Sequence, residues 1–258
     1  MIKYIYPTKK VIFMKISEKI NMSRADLERE GAITIVAFGD SVTHGAVADG
    51  EINYDTVYWN RLRNKILAKK NYVPVNVINS GIGGVDARSS LMRFDHQVLS
   101  HSPDLVIICF GLNDVNGELD DYLSSLGKMF EKCKYRGIDT IFLTPNMLNT
   151  YVADDTPTKH LSYAKKTADM QNGGKMDLFI YSAKKLAEDM GIAVCDCYSK
   201  WKELSLTEDT TLLLANRINH PLKEMHELFA SELFRLIFPD DSGTGNSSGA
   251  PESTMYNN

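Results

Sequence analysis

The sequence predicts an α/β domain built on one doubly wound parallel sheet, with helices on both faces. Three observations predict it. Short apolar runs rich in β-branched residues alternate with longer segments of helical apolar spacing. One run, Leu105-Val106-Ile107-Ile108-Cys109-Phe110, is apolar without a break, as in a central parallel strand covered on both sides. Glycines and polar residues gather where the apolar runs end, and that edge of an open α/β sheet is where ligands sit.

The elements follow in order. Residues 1–30 form a mixed N-terminal extension, in which Ser23 to Glu30 has helix-forming composition and Gly31 is placed to end the helix. Ile33-Thr34-Ile35-Val36-Ala37-Phe38 is the first strand, and it stops abruptly at Gly39-Asp40-Ser41, so a serine is delivered onto a tight turn. Tyr58 to Lys70 reads as an amphipathic helix, with Trp59, Leu62, Ile66 and Leu67 on one side. Val73 to Asn79 is the second strand, and Pro74 near its start places it at a sheet edge. The glycine-dense stretch Ser80-Gly81-Ile82-Gly83-Gly84 follows, and Ala87 to Leu99 is expected as one helix. After the third strand comes Gly111-Leu112-Asn113-Asp114, then a helix from Asp121 to Arg136 closed by Gly137. Thr140 to Thr144 is the fourth strand, stopped by Pro145. Asn149 to Lys175 is polar and reads as a long excursion shaping the site, with some helix. A helix from Asp177 to Met190, a fifth strand from Ile192 to Asp196, and a last amphipathic helix from Leu222 to Ile237 complete the pattern.

Composition narrows the function classes. The chain has 258 residues, 43% hydrophobic and 24% charged, which suits one large globular domain, here residues 31–239. A formal net charge of −4 leaves no basic footprint for nucleic acid. No apolar run is long enough to span a bilayer. Val11 to Met14 is too short for a signal-peptide core and Lys15 interrupts it, so a cytoplasmic protein is expected. From Asp240 the chain turns to Ser, Gly, Asn, Thr and Pro, and residues 240–258 are expected to form a disordered tail. The four cysteines show no zinc-type pairs. Packing is expected for Cys109, Cys195 and Cys197, and no metal or cofactor is expected.

Ser41, Gly84, Asn113 and His220 fall in four separate loops. Read together, the blocks around them resemble the SGNH hydrolases, also called the GDSL esterase/lipase family. Gly39-Asp40-Ser41 fits the first block and Asn79-x-Gly81-x-x-Gly84 the glycine block. Gly111-Leu112-Asn113-Asp114 fits the third and Asn219-His220-Pro221 the last, in order from about Ile33 to Phe238. The resemblance implies a flavodoxin-like three-layer α/β/α sandwich with a five-stranded parallel sheet, and ester hydrolysis. It implies Ser41 as nucleophile and His220 as general base. It assigns the oxyanion donors to the Ser41 and Gly84 backbone N–H groups and the Asn113 amide. The Gly-x-Ser-x-Gly elbow of α/β-hydrolases is absent, because Thr43 stands at its second glycine. His44 is placed to line the pocket, Asp114 to hold its loop, and His226 to pack or lie at the surface.

One part of the pattern breaks. The family's histidine partner is commonly an Asp in Asp-x-x-His, but Arg217 stands three residues before His220 and Asn216 four before. Asn216 is therefore the expected orienter. The alternatives are a backbone orienter, a carboxylate such as Asp196 or Asp209 folding in, or an impaired site. The expected substrate is a small-molecule or carbohydrate ester with a short acyl group, O-acetyl carbohydrate among them. The competing readings are an acyltransferase and a carbohydrate-binding relative without turnover.

Overall fold

The computed structural model describes residues 14–239 apart from Asp49 and Asn71, so the expected tail and the first thirteen residues lie outside the described residues. Two short helices open the described chain, α1 (Met14–Lys19) and α2 (Arg24–Glu30). Ser23 caps α2 through a reciprocal bond pair with Asp26, and Gly31 at φ 76° ends it. This stretch is tied to the domain. Ile16 and Ile20 are buried in the core, and the Lys19 ammonium donates to Asp104 at 2.9 Å.

The sheet comprises β1 (Ile33–Gly39), β2 (Val75–Gly81), β3 (Leu105–Cys109), β4 (Asp139–Leu143) and β5 (Ala193–Cys195). All neighbours are parallel, in the order β2-β1-β3-β4-β5. This is the flavodoxin-like order, with its switch point between β1 and β3. Every residue of β3 is buried. β2 lies at the edge and Pro74 sits just before it, where a missing N–H costs no ladder bond.

The helices behind the strands follow the predicted periodicity, with three differences. Ser41–His44 forms a short helix, α3, directly after β1, and α4 (Tyr58–Lys69) follows. The segment expected as one helix from Ala87 to Leu99 is broken into α5 (Ala87–Ser90), a 3-10 turn, α6 (Phe94–Gln97) and a second 3-10 turn. Tertiary contacts account for the bend. The Arg93 guanidinium lies 4.3 Å over the Phe38 ring and donates to the Ser80 carbonyl at 2.7 Å, and Ser80 Oγ donates to the Gln97 carbonyl at 2.8 Å. A straight helix could not cling to the strand ends in this way. The chain continues through α7 (Leu119–Tyr135), α8 (Leu161–Asn172) and α9 (Lys175–Asp189). An unexpected helix, α10 (Cys197–Leu204), is capped by Asp196, and α11 (His226–Ile237) is the last.

Helix α4 packs on α11, and α7 on α9, giving the two outer layers of an α/β/α sandwich. Between them Phe38 meets Phe94 and Phe110 edge-on, each at 5.3 Å. His226 is buried against Tyr58, where Nδ1 accepts the Tyr58 backbone N–H at 3.2 Å. Burial pushes its pKa down to about 3, so it is a neutral packing residue. Cys109, Cys133, Cys195 and Cys197 are free and buried.

Two glycines let the serine turn sit against the sheet. A Cβ at Gly39 would lie 2.2 Å from Thr43 Oγ1 and 2.5 Å from the Cys109 carbonyl oxygen. A Cβ at Gly81 would lie 2.3 Å from the His44 nitrogen and 2.6 Å from the Thr43 carbonyl carbon. Backbone atoms cannot step aside as a flexible side chain can. The variant Gly81→Ala should therefore lose about 2 kcal/mol or more of stability and displace α3. Thermal unfolding checks this, and its midpoint should fall.

Candidate active site

Ser41 is the first residue of α3 and is delivered there by β1. Asp40 caps the helix, its Oδ1 accepting the Val42 N–H at 2.9 Å. Gly45, in the left-handed region at φ 101°, closes the helix after one turn, with its N–H donating to the Ser41 carbonyl. Trp59 Nε1 and the Tyr58 hydroxyl brace the turn, at 2.9 Å from the Thr43 carbonyl oxygen and 3.0 Å from Thr43 Oγ1. The serine is 5% exposed.

His220 arrives from the opposite end of the chain, and its Nε2 lies 2.9 Å from Ser41 Oγ. Its other ring nitrogen, Nδ1, lies 2.9 Å from the carbonyl oxygen of Val47. A carbonyl oxygen only accepts, so Nδ1 carries the proton and Nε2 is left as the acceptor for the serine hydroxyl. Burial holds the imidazole below its usual pKa. The Val47 carbonyl opposes that shift, and the charge of His160 adds to it.

The orienting group thus differs from the expected Asn216. That side chain does not touch the ring. Its Oδ1 accepts the backbone N–H groups of Ile218, Asn219 and His220 at 3.0, 2.9 and 2.9 Å, and its Nδ2 donates to Asn219 Oδ1. Three amide donors saturate the oxygen and make Asn216 the organiser of the histidine turn. The carboxylates weighed as alternatives are also engaged elsewhere. Asp196 pairs with Lys184 and caps α10, and Asp209 accepts the Tyr151 hydroxyl at 2.7 Å. Arg217, at φ 58°, points away from the ring and pairs with Asp155 at 2.9 Å.

The residues expected to face an oxyanion come from two further strand ends. Gly84 lies at φ 79°, a left-handed conformation that glycine adopts without strain. A Cβ there would meet nothing within 4 Å, so backbone conformation rather than close approach calls for glycine. The Gly84 stretch lies beside Ser41, since a Cβ on Gly83 would be 3.9 Å from Ser41 Cβ and 3.8 Å from His44 Nδ1. Asn113 Nδ2 donates to the Val85 carbonyl at 2.9 Å, which pins its amide to the same stretch and leaves its second N–H for another acceptor. His44 lines this side, 3.5 Å from the Tyr54 hydroxyl.

Two carboxyls lie beneath the site. Asp40 is wholly buried and Asp114 nearly so, and burial pushes both up to about 7. Asp114 Oδ1 accepts the Ala87 N–H at 2.8 Å, locking the Asn113 loop to the start of α5. The Val47 carbonyl is the one feature of the site that residue types could not reveal, because every residue carries such a group. Its loop is held by a bridge between Ala46 and Ile52 and by the Glu51–Lys223 ion pair at 2.6 Å.

A parallel five-stranded sandwich with a serine, a glycine turn, an asparagine and a histidine at one edge is the SGNH hydrolase fold. Residues 37–228 match the GDSL-like Lipase/Acylhydrolase family, and the chain belongs to that family of carboxylic ester hydrolases. Solved structures with the same fold include an acetylxylan esterase from Geobacillus stearothermophilus. It is 23% identical with a TM-score of 0.62, over 80% of this chain and 94% of that one. An α/β hydrolase from the metagenome of Lake Arreo is 19% identical with a TM-score of 0.61, over 80% and 95%. The chain is also 33% identical over 90 residues to the uncharacterized lipoprotein YqeF of Bacillus subtilis, a stretch covering 35% of each protein.

The reassignment of Asn216 is testable. Asn216→Asp keeps the acceptor oxygen and should leave kcat within about threefold, whereas Asn216→Ala strips three backbone N–H groups of their acceptor and should cost about 1–3 kcal/mol of stability. Steady-state rates and thermal melts of both variants check this. A large rate gain in Asn216→Asp would place the side chain on the ring after all.

Proposed function

We propose that the chain is a serine esterase that removes short acyl groups from carbohydrate esters, acetyl among them, through an acyl-enzyme on Ser41. The observation that carries this reading is the relay Val47 carbonyl–His220–Ser41, with both contacts at 2.9 Å. In it His220 takes the Ser41 proton through Nε2 as Oγ attacks the ester carbonyl, then returns it to the departing alcohol. The Ser41 N–H, the Gly84 N–H and the free Asn113 N–H receive the negative charge that develops on the carbonyl oxygen. Water then enters by the same relay and releases the acid. Acyl transfer and sugar-ester hydrolysis share these steps. The carbohydrate preference draws on the acetylxylan esterase that shares the fold, and the short acyl group on the tight surroundings of Ser41.

Ser41→Ala and His220→Ala should each lower kcat/KM for p-nitrophenyl acetate by about a thousandfold or more. Acetate release from acetylated xylo-oligosaccharides should disappear in parallel, and retention of activity by Ser41→Ala would end the acyl-enzyme reading. Burial lowers the His220 pKa, so the neutral base persists to lower pH than in an ordinary histidine. The acid limb of kcat/KM should therefore fall below pH 6.5, and replacing His160 by Gln should move it upward. A pH-rate profile of both proteins checks the direction.

A further inference from the structure

The contact that orients His220 joins two segments far apart in the chain. One is the loop after α3, which carries the Val47 carbonyl. The other is the histidine turn together with the 3-10 turn Lys223–Met225 that leads into α11. Each segment is folded by bonds of its own. In the loop, the Val47 N–H donates to the Glu51 carbonyl at 2.9 Å and the Asn53 N–H to the Gly45 carbonyl at 2.8 Å. In the other segment, the His220 carbonyl accepts the Ala215 N–H at 2.7 Å, and the His220 N–H donates to Asn216. None of these bonds sets the distance from one segment to the other.

The ion pair of Glu51 with Lys223 does set it. Glu51 Oε1 lies 2.6 Å from Lys223 Nζ. Glu51 stands four residues beyond Val47, and Lys223 three beyond His220, so the pair runs beside the ring contact and ties the same two segments. The lysine has a secured base. Arg61 on α4 donates through Nη2 to the Lys223 carbonyl at 3.3 Å and through Nε to the Thr56 carbonyl at 2.7 Å, and it pairs with Glu227 at 3.1 Å.

We propose that Glu51 and Lys223 are positioning residues, whose ion pair holds the Val47 carbonyl against Nδ1 of His220. A neutral carbonyl attracts the imidazole less than a carboxylate does, so its place depends on what surrounds it. Placement governs rate steeply, since a misplacement of about 1 Å can cost about a hundredfold. The side chains of Lys223 and Glu51 are 35% and 51% exposed, and ion pairs this exposed contribute modestly. The loss expected on breaking the pair is therefore about threefold to fivefold in kcat. The proposal rests on the esterase reading for its effect on rate, but not for its effect on the ring.

The test uses the full chain and the variants Glu51→Gln and Lys223→Gln. In each, kcat for p-nitrophenyl acetate should fall about threefold to fivefold with KM unchanged. The Val47 carbonyl raises the pKa of His220, so loosening that contact should move the acid limb of kcat/KM to lower pH in both variants. A direct effect of the removed charges would have opposite signs, downward for Glu51→Gln and upward for Lys223→Gln. His160 and His226, whose charges couple to the ring, are the same in every protein compared. The charge-swapped double variant Glu51→Lys, Lys223→Glu should restore both kcat and the limb. Nitrogen-15 NMR of the His220 ring reads the tautomer itself. Wild type should carry the proton on Nδ1, and each single variant should show a share of the Nε2–H form. Unchanged kcat and limb in both single variants, limbs that move in opposite directions, or a double variant no better than the single ones would overturn the proposal. Absence of p-nitrophenyl acetate turnover in wild type would instead overturn the esterase reading, and the NMR comparison would still decide the role of the ion pair.

Discussion

The site depends on a backbone carbonyl. Val47 fixes which nitrogen of His220 bears the proton, and so which one faces Ser41. In a serine protease, replacing the orienting Asp by Asn costs about ten-thousandfold, largely because the wrong tautomer is held. A carbonyl cannot make that error, since it has no proton to offer. It does lack a full negative charge to steady the imidazolium. Burial disfavours that cation further and keeps the resting ring neutral. In the proposed mechanism the compensating stabilisation must come from the N–H dipoles on the oxyanion side.

The place of Ser41 is produced by close backbone packing. Gly39 and Gly81 leave out the two Cβ atoms that would strike α3, so the serine helix lies directly on the ends of β1 and β2. Asp40 then satisfies a helix N–H from below with one oxygen, while the other has no hydrogen-bond partner. An ionised carboxylate would be costly in that position, and its raised pKa reflects the cost. In the proposed mechanism the proton it tends to keep also spares the adjacent Ser41 N–H a competing negative charge.

Much of this was legible in the residues. Unbroken apolar runs such as Leu105 to Cys109 announced the sheet, and Pro74 announced its edge. The four blocks placed Ser41, the Gly84 turn, Asn113 and His220 at one rim because each follows a recognisable strand end or turn. The breaks in the 87–99 helix were not legible. Its apolar spacing is helical, but the bend is imposed by Arg93 reaching to Ser80 and Phe38, residues remote in sequence. Helix α10 was hidden for a related reason. Its start depends on the Asp196 cap, and Trp201 becomes an interior residue only once α10 is in place.

The misplacement of Asn216 has a more particular cause. Position 217 is where an Asp-x-x-His acid would stand, but its backbone turns to φ 58°, a conformation few non-glycine residues adopt. That turn lets Asn216 gather three successive N–H groups on one oxygen. The same turn carries the Arg217 side chain outward to Asp155 and to the carbonyls of Leu212 and Leu214. The two residues placed where an acid could stand are thus both engaged away from the ring. The contact that holds the imidazole then comes from outside the loop, from the Val47 carbonyl just after α3. Ser41 and the Val47 carbonyl that holds the His220 ring thus lie six residues apart in the sequence, on either side of the end of α3.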